Sequence, residues 1–192
     1  MPDITFQADV AAAVAAMRRG GVIAYPTDTV WGIGCDASCQ EAVRRVYEIK
    51  RRADSKALIT LVADRDMLER HVGCLSPSAL SLIRESDRPL TVVYPEGMGV
   101  AGNLLAPDGS IGIRITTEAF SQALCRELGG PVVPTSANFS GEPSPAVFAE
   151  IDPSLLGMLD YVAHYRRSDT SRALPSRVCR LEADGTVKIL RP

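Results

Sequence analysis

Histidine is nearly missing from this 192-residue chain: His71 and His164 are the only two, too few for a histidine-rich metal site or an arguable Ser-His-Asp relay. Aromatic residues make up 5%, a poor supply for a base-stacking platform. An excess of basic charge is also missing. Lys and Arg number 21 against 23 Asp and Glu, for a net charge of −2 and a pI near 5.7. That balance argues against a general nucleic-acid binder and leaves room only for a local basic cleft. No stretch approaches ~18 uninterrupted apolar residues, and Met1 to Gln7 has neither a basic nor an apolar leader region, so neither a membrane span nor secretion is expected. The five cysteines (Cys35, Cys39, Cys74, Cys125, Cys179) form no C-x-x-C pair and read as reduced, mostly buried thiols of a cytoplasmic protein. Neither G-x-S-x-G nor G-x-x-x-x-G-K-[ST] occurs. Covalent catalysis is therefore unsupported, leaving positioning and charge neutralisation.

What is present is a 46% apolar chain, ample for the core of a single domain over 1–192. Asp9 predicts the cap of a first helix with Val10, Ala13, Val14 and Met17 on one face and Gly20-Gly21 as its stop. Val22 to Tyr25 reads as a buried strand broken by Pro26, and Gln40 to Arg52 as an amphipathic helix. Strands are expected over Ala57–Ala63, Pro89–Tyr94, Ser110–Ile115 and Pro131–Pro134, with helices over Pro77–Glu85 and Glu118–Leu128. A terminal hairpin should pair Arg180-Leu181 with Val187–Leu190. This alternation implies an α/β fold with a twisted mixed sheet, partly antiparallel around Gly97–Gly109. Gly141–Pro145 and Arg166–Arg172 read as mobile loops.

Three polar clusters stand out. Lys50-Arg51-Arg52 closes the second helix, Thr135-Ser136-Ala137-Asn138 follows Val132-Val133, and Pro26-Thr27-Asp28-Thr29 leads into Val30-Trp31-Gly32. Alone, cations at a helix end are commonly complements to its dipole, at ~0.3 to 1 kcal/mol, and Ser and Asn are ordinary turn caps. Together, cations with an oriented hydroxyl and amide suit a polyphosphate ligand. Gly32-Ile33-Gly34-Cys35-Asp36-Ala37 formally satisfies G-x-G-x-x-A, with Asp54 as the would-be ribose ligand, but no helix opens directly after it, so a dinucleotide site is rejected.

The block Gly20 to Gly32, the Lys50-x-Arg52 pair and Ser136-x-Asn138, supported by Lys56–Ile59, Pro89–Thr91, Gly112–Arg114 and Asn138–Gly141, resemble the YrdC family of threonylcarbamoyl-AMP synthases. The resemblance runs from about Gly20 to Val147. It implies an open YrdC-like α/β fold with a concave basic cleft, without the extra C-terminal domain of longer members. It also implies an ATP-dependent nucleotidyltransferase that joins L-threonine, bicarbonate and ATP into threonylcarbamoyl-AMP and pyrophosphate, for modification of tRNA by separate downstream proteins. By position, Lys50, Arg52, Lys56, Asn138, Ser144 and Arg191 would bind ATP, with Lys50 and Arg52 as the catalytic cations. Thr29, Arg114, Ser136 and Ser176 would bind threonine, Mg²⁺ would arrive with the nucleotide, and any tRNA contact would be weak. The family alternative is a non-catalytic RNA-binding protein. Ala53, Thr116 and Arg177 depart from the family pattern, in which proline usually stands at the first two positions and Arg177 interrupts a Ser-Thr pair.

Arg52→Ala is expected to abolish pyrophosphate release without loss of fold. Arg52→Lys should rescue poorly, because a point charge cannot reproduce the planar fork that bridges two phosphate oxygens. Near-normal turnover by Arg52→Ala would remove the residue from the site.

Overall fold

The computed structural model describes residues 4–51, 58–182 and 184–192. Helix α1 (Phe6–Arg18) is alanine-rich and buries Val10, Ala13, Val14 and Met17. Its cap is Thr5, whose hydroxyl accepts the Ala8 N–H, and not Asp9. Asp9 lies one turn inside, where its buried carboxylate accepts the Tyr161 hydroxyl at 2.7 Å and the backbone N–H groups of His164 and Tyr165. Long-range donors thus claim the carboxylate that local pattern assigned to a cap.

Strands β1 (Ile23–Pro26) and β2 (Trp31–Gly34) form a fully buried antiparallel hairpin around the turn 27–30. Helix α2 (Gln40–Lys50) ends at Arg51, a non-glycine residue in the left-handed region at φ 51°. Further along come β3 (Ile59–Val62), α3 (Arg65–Val72), α4 (Pro77–Glu85), β4 (Leu90–Tyr94), β5 (Ile111–Ile115) and α5 (Ala119–Leu128). The chain then runs through β6 (Thr135–Ser136), α6 (Pro153–Leu156), β7 (Tyr161–Val162), β8 (Arg177–Leu181) and β9 (Val187–Arg191). Glu118 caps α5 and Ser76 caps α4, which carries Pro77 in its first turn.

The strands divide into two mixed sheets where the sequence suggests one. The first has the order β6-β2-β1-β7 and the second β3-β5-β4-β8-β9. The segment 131–134, expected as a strand, joins them: Val132 pairs with Asp36 at the end of the first sheet and with Leu61 of β3 in the second. Only after Pro134 does the chain enter β6, beside β2. Two apolar cores follow from this division. One gathers Tyr25, Leu61, Val92, Ile113 and Phe120 with α1, and the other packs α2 on Trp31, Ile33, Leu104 and Leu155. Cys35, Cys125 and Cys179 are buried and all five cysteines are free. Among the described residues no helix is long and apolar enough to cross a membrane.

The two glycines of the rejected dinucleotide pattern lie inside β2, and at Gly34 neighbouring backbone runs too close for a side chain. A Cβ on Gly34 would stand 1.6 Å from the Val133 carbonyl oxygen, which the buried Tyr25 hydroxyl also holds at 2.8 Å. Gly34→Ala must push the bridging segment out of register and is expected to cost at least about 3 kcal/mol in chemical denaturation. Gly130→Ala, with open space around its Cβ, should change stability by under about 0.5 kcal/mol. Equal midpoints for the two variants would show that the contact imposes no constraint.

Candidate functional site

Helix α2 delivers Lys50 inward. The side chain is 3% exposed, and its ammonium donates to the carbonyl oxygens of Ser136 and Asn138 and to Asn138 Oδ1 at 3.3 Å. A buried ammonium requires such partners, since transfer from water without them is prohibitive. The Lys50 carbonyl in turn accepts Ser140 N–H at 2.9 Å. Both N–H groups of the Asn138 amide are spent nearby, on the carbonyls of Phe139 and Glu142 at 2.9 and 2.7 Å. Lys50 and Asn138 therefore shape the 136–142 loop from within, and Ser136 is held half-exposed on it. Arg51 stacks its guanidinium 4.5 Å from the Phe139 ring centre. Arg52 and Lys56, and with them Ala53, lie outside the described residues.

A second cluster forms on the other sheet. Arg114 of β5 is 5% exposed; its Nε donates to Thr91 Oγ1 and its Nη2 to Ser176 Oγ, both at 3.1 Å. Arg191 of β9 reaches the same serine, donating to its hydroxyl and its carbonyl at 2.8 Å. Two guanidinium groups thus converge on one hydroxyl. Burial lowers the Arg114 pKa, while Asp28, 3.8 Å away, works against that shift. The Nη1 of Arg114 makes no hydrogen bond among the described residues, so its donors suit a carboxylate. Arg191, which the resemblance groups with the ATP ligands, shares Ser176 with Arg114.

The turn 27–30 connects the clusters. Thr27 Oγ1 donates to the Val30 carbonyl at 2.7 Å and lies 3.4 Å from Thr29 Oγ1, so Thr29 is held at the hairpin tip. One side of that hairpin pairs through β2 with β6 and Ser136. The other side holds Asp28, which meets Arg114 and the start of α5. Sequence reasoning singled out neither Asp28 nor Thr91 as a site residue, because only the fold brings them to Arg114. The departure at Thr116 has a clear local use: its N–H donates to the Val62 carbonyl and its hydroxyl to Asp28, neither of which proline can do. Arg177, the departure next to Ser176, has a buried Nε without a hydrogen-bond partner among the described residues.

Ser144 lines a cleft of about 410 Å³ with Asn138, Glu142, Glu150, Asp152 and Arg172. Of these residues three are acidic and one is basic, with Arg172 paired to Glu150. The cations expected to make a cleft basic, Arg52 and Lys56, are outside the described residues. Another cavity, of about 350 Å³, lies behind the second sheet on Leu90, Val92, Ile113 and Ile115. These alternate along β4 and β5 with Thr91 and Arg114, so the sheet itself separates that cavity from the arginine cluster.

The family model described as "Telomere recombination", for the Sua5/YciO/YrdC proteins, matches residues 15–192. A threonylcarbamoyl-AMP synthase from Xanthomonas campestris is 35% identical over 175 residues, covering 90% of this chain and 94% of the relative. Another from Stenotrophomonas maltophilia is 38% identical over 168 residues, covering 86% and 90%. Among solved structures, P. abyssi Sua5 complexed with L-threonine superimposes with a TM-score of 0.84 at 26% identity. The alignment takes in 99% of this chain and 55% of Sua5, so the chain spans about half the length of that protein. With a match from residue 15 to its last residue, and these two relatives aligned over most of their own length, the chain belongs to the Sua5/YciO/YrdC family.

Proposed function

We infer that this protein is an L-threonylcarbamoyladenylate synthase. The observation that carries the reading is the convergence of Arg114 and Arg191 on Ser176, with Arg114 donors left over for a carboxylate, in a fold shared with a protein crystallised with L-threonine. The threonine carboxylate would lie against Arg114 and Ser176, with Thr29 and Ser136 at the hairpin tip and on β6 presenting hydroxyls to the rest of the amino acid. The names of the relatives support the same reaction.

In that reaction the threonine amine attacks the carbon of bicarbonate and water leaves, giving a carbamate. A carbamate oxygen then attacks the α-phosphorus of ATP; a P–O bond forms there, and the bond to the bridging oxygen breaks as pyrophosphate departs. No electrons change hands, so the protein's contribution is to gather three anions and hold them in line. The nucleotide would lie along the 136–144 loop, braced by Lys50, and in the Ser144 cleft, and Arg52 and Lys56 would supply the phosphate cations. ATP would enter as its Mg²⁺ complex, in keeping with the habit of Mg²⁺ to bind through substrate phosphates and water. The product would pass to separate proteins that modify tRNA in the cytoplasm.

Pyrophosphate release from ATP, measured with threonine and bicarbonate each supplied or omitted, is expected only in the complete mixture and should vanish with excess EDTA. Release independent of threonine would refute the reading. RNA binding without any release would support the non-catalytic alternative.

A further inference from the structure

Asp28 is the most heavily engaged carboxylate near the candidate site. Its Oδ1 accepts the backbone N–H groups of Thr117 and Glu118 at 2.8 and 3.0 Å and the Thr117 hydroxyl at 3.2 Å. Its Oδ2 accepts the Thr116 hydroxyl at 2.8 Å and lies 3.8 Å from Arg114 Nη1. The side chains of both Asp28 and Arg114 are about 5% exposed or less. Its partners lie 86 to 90 positions away in sequence, so one carboxylate fastens the β1–β2 turn to the end of β5 and to the N-cap of α5.

Around it stand Tyr25 and Glu118, both with pKa values raised mainly by burial, and Arg166, which pairs with Glu118 at 3.6 Å. The 3.8 Å separation from Arg114 is too long for a hydrogen bond but close enough, in a desolvated setting, to orient the guanidinium. The remaining directions of the Arg114 fork are fixed by Thr91 and Ser176. Asp28 therefore faces the Nη1 group without hydrogen-bonding it.

We propose that Asp28 is the positioning residue of the threonine-carboxylate half of the site: it aims Arg114 and locks the turn carrying Thr29 against α5, without touching substrate. The proposal rests on the reading of this cluster as the threonine site. Its sign separates positioning from simple electrostatics. A carboxylate near an anion site weakens anion binding, so neutralising it would by charge alone tighten threonine binding. If Asp28 acts by aiming Arg114, neutralising it loosens threonine instead.

The test is calorimetric threonine binding to the full chain, alongside steady-state pyrophosphate release, for Asp28→Asn and Thr116→Val. Asparagine keeps an acceptor for the two backbone N–H groups while removing the charge. Asp28→Asn is expected to raise the threonine Kd and KM at least tenfold with the ATP KM within twofold. Thr116→Val, which deletes one hydroxyl contact to Asp28, should raise the threonine values about threefold and decides the matter if Asp28→Asn does not fold. An unchanged or lower threonine Kd, or equal rises in both KM values, would overturn the positioning role. No threonine binding by the unaltered chain would overturn the threonine reading and this proposal with it.

Discussion

The bridging segment 131–138 is the constraint on which the architecture turns. Val132 exchanges backbone hydrogen bonds with Leu61, at 3.0 and 2.7 Å, and Val133 donates to Cys35 at 2.9 Å, so one extended run serves two sheets. Residues 131–134 are buried at the junction, and their polar backbone must find partners there. That need explains the glycine at 34, the Tyr25 hydroxyl on the Val133 carbonyl and the Lys50 ammonium on the Ser136 and Asn138 carbonyls. The Ser136–Asn138 loop is therefore a by-product of how the sheets are joined, and the position of its hydroxyl and amide is set by backbone pairing, not by ligand.

Much of this was legible in sequence wherever the signal is local. Helix α4 falls on Pro77–Glu85 as expected, because Ser76 and Pro77 mark its start unambiguously. The β4–β5 pair and the terminal hairpin follow from alternation and turn residues. Helix α3 escaped because only Met67 and Leu68 of its eight residues are buried, too short a stripe to show a period. Strand β2 escaped because two of its four residues are glycine, which is depleted in strands. The division into two sheets had no local signature at all: it depends on Val132 meeting residues 71 and 96 positions earlier.

The same split holds for the site. Lys50, Ser136 and Asn138 were visible as a motif, and the fold brings them into contact, although Lys50 faces the loop backbone and not the open cleft. Arg114, Ser176 and Arg191 were visible only through resemblance, since nothing in their spacing announces a shared hydroxyl. Asp28 was in plain view inside a recognised block and still had no assignable task. Two of its partners are backbone N–H groups at the start of a helix, which have no sequence identity to read, and the others lie 86 to 89 positions away.

Arg191 belongs to the last strand of its sheet, and all five residues of β9 are exposed. Edge strands of this kind open locally at a small fraction of the free energy needed to unfold the whole domain. Half of the guanidinium pair at Ser176 is therefore mounted on an exposed edge strand, while Arg114 is mounted in the interior. A ligand that engages both must first settle the outer strand, so occupancy and edge order are thermodynamically linked. If ligand engages this pair, its affinity would weaken with temperature and denaturant as β9 frays, below the point at which the core begins to melt.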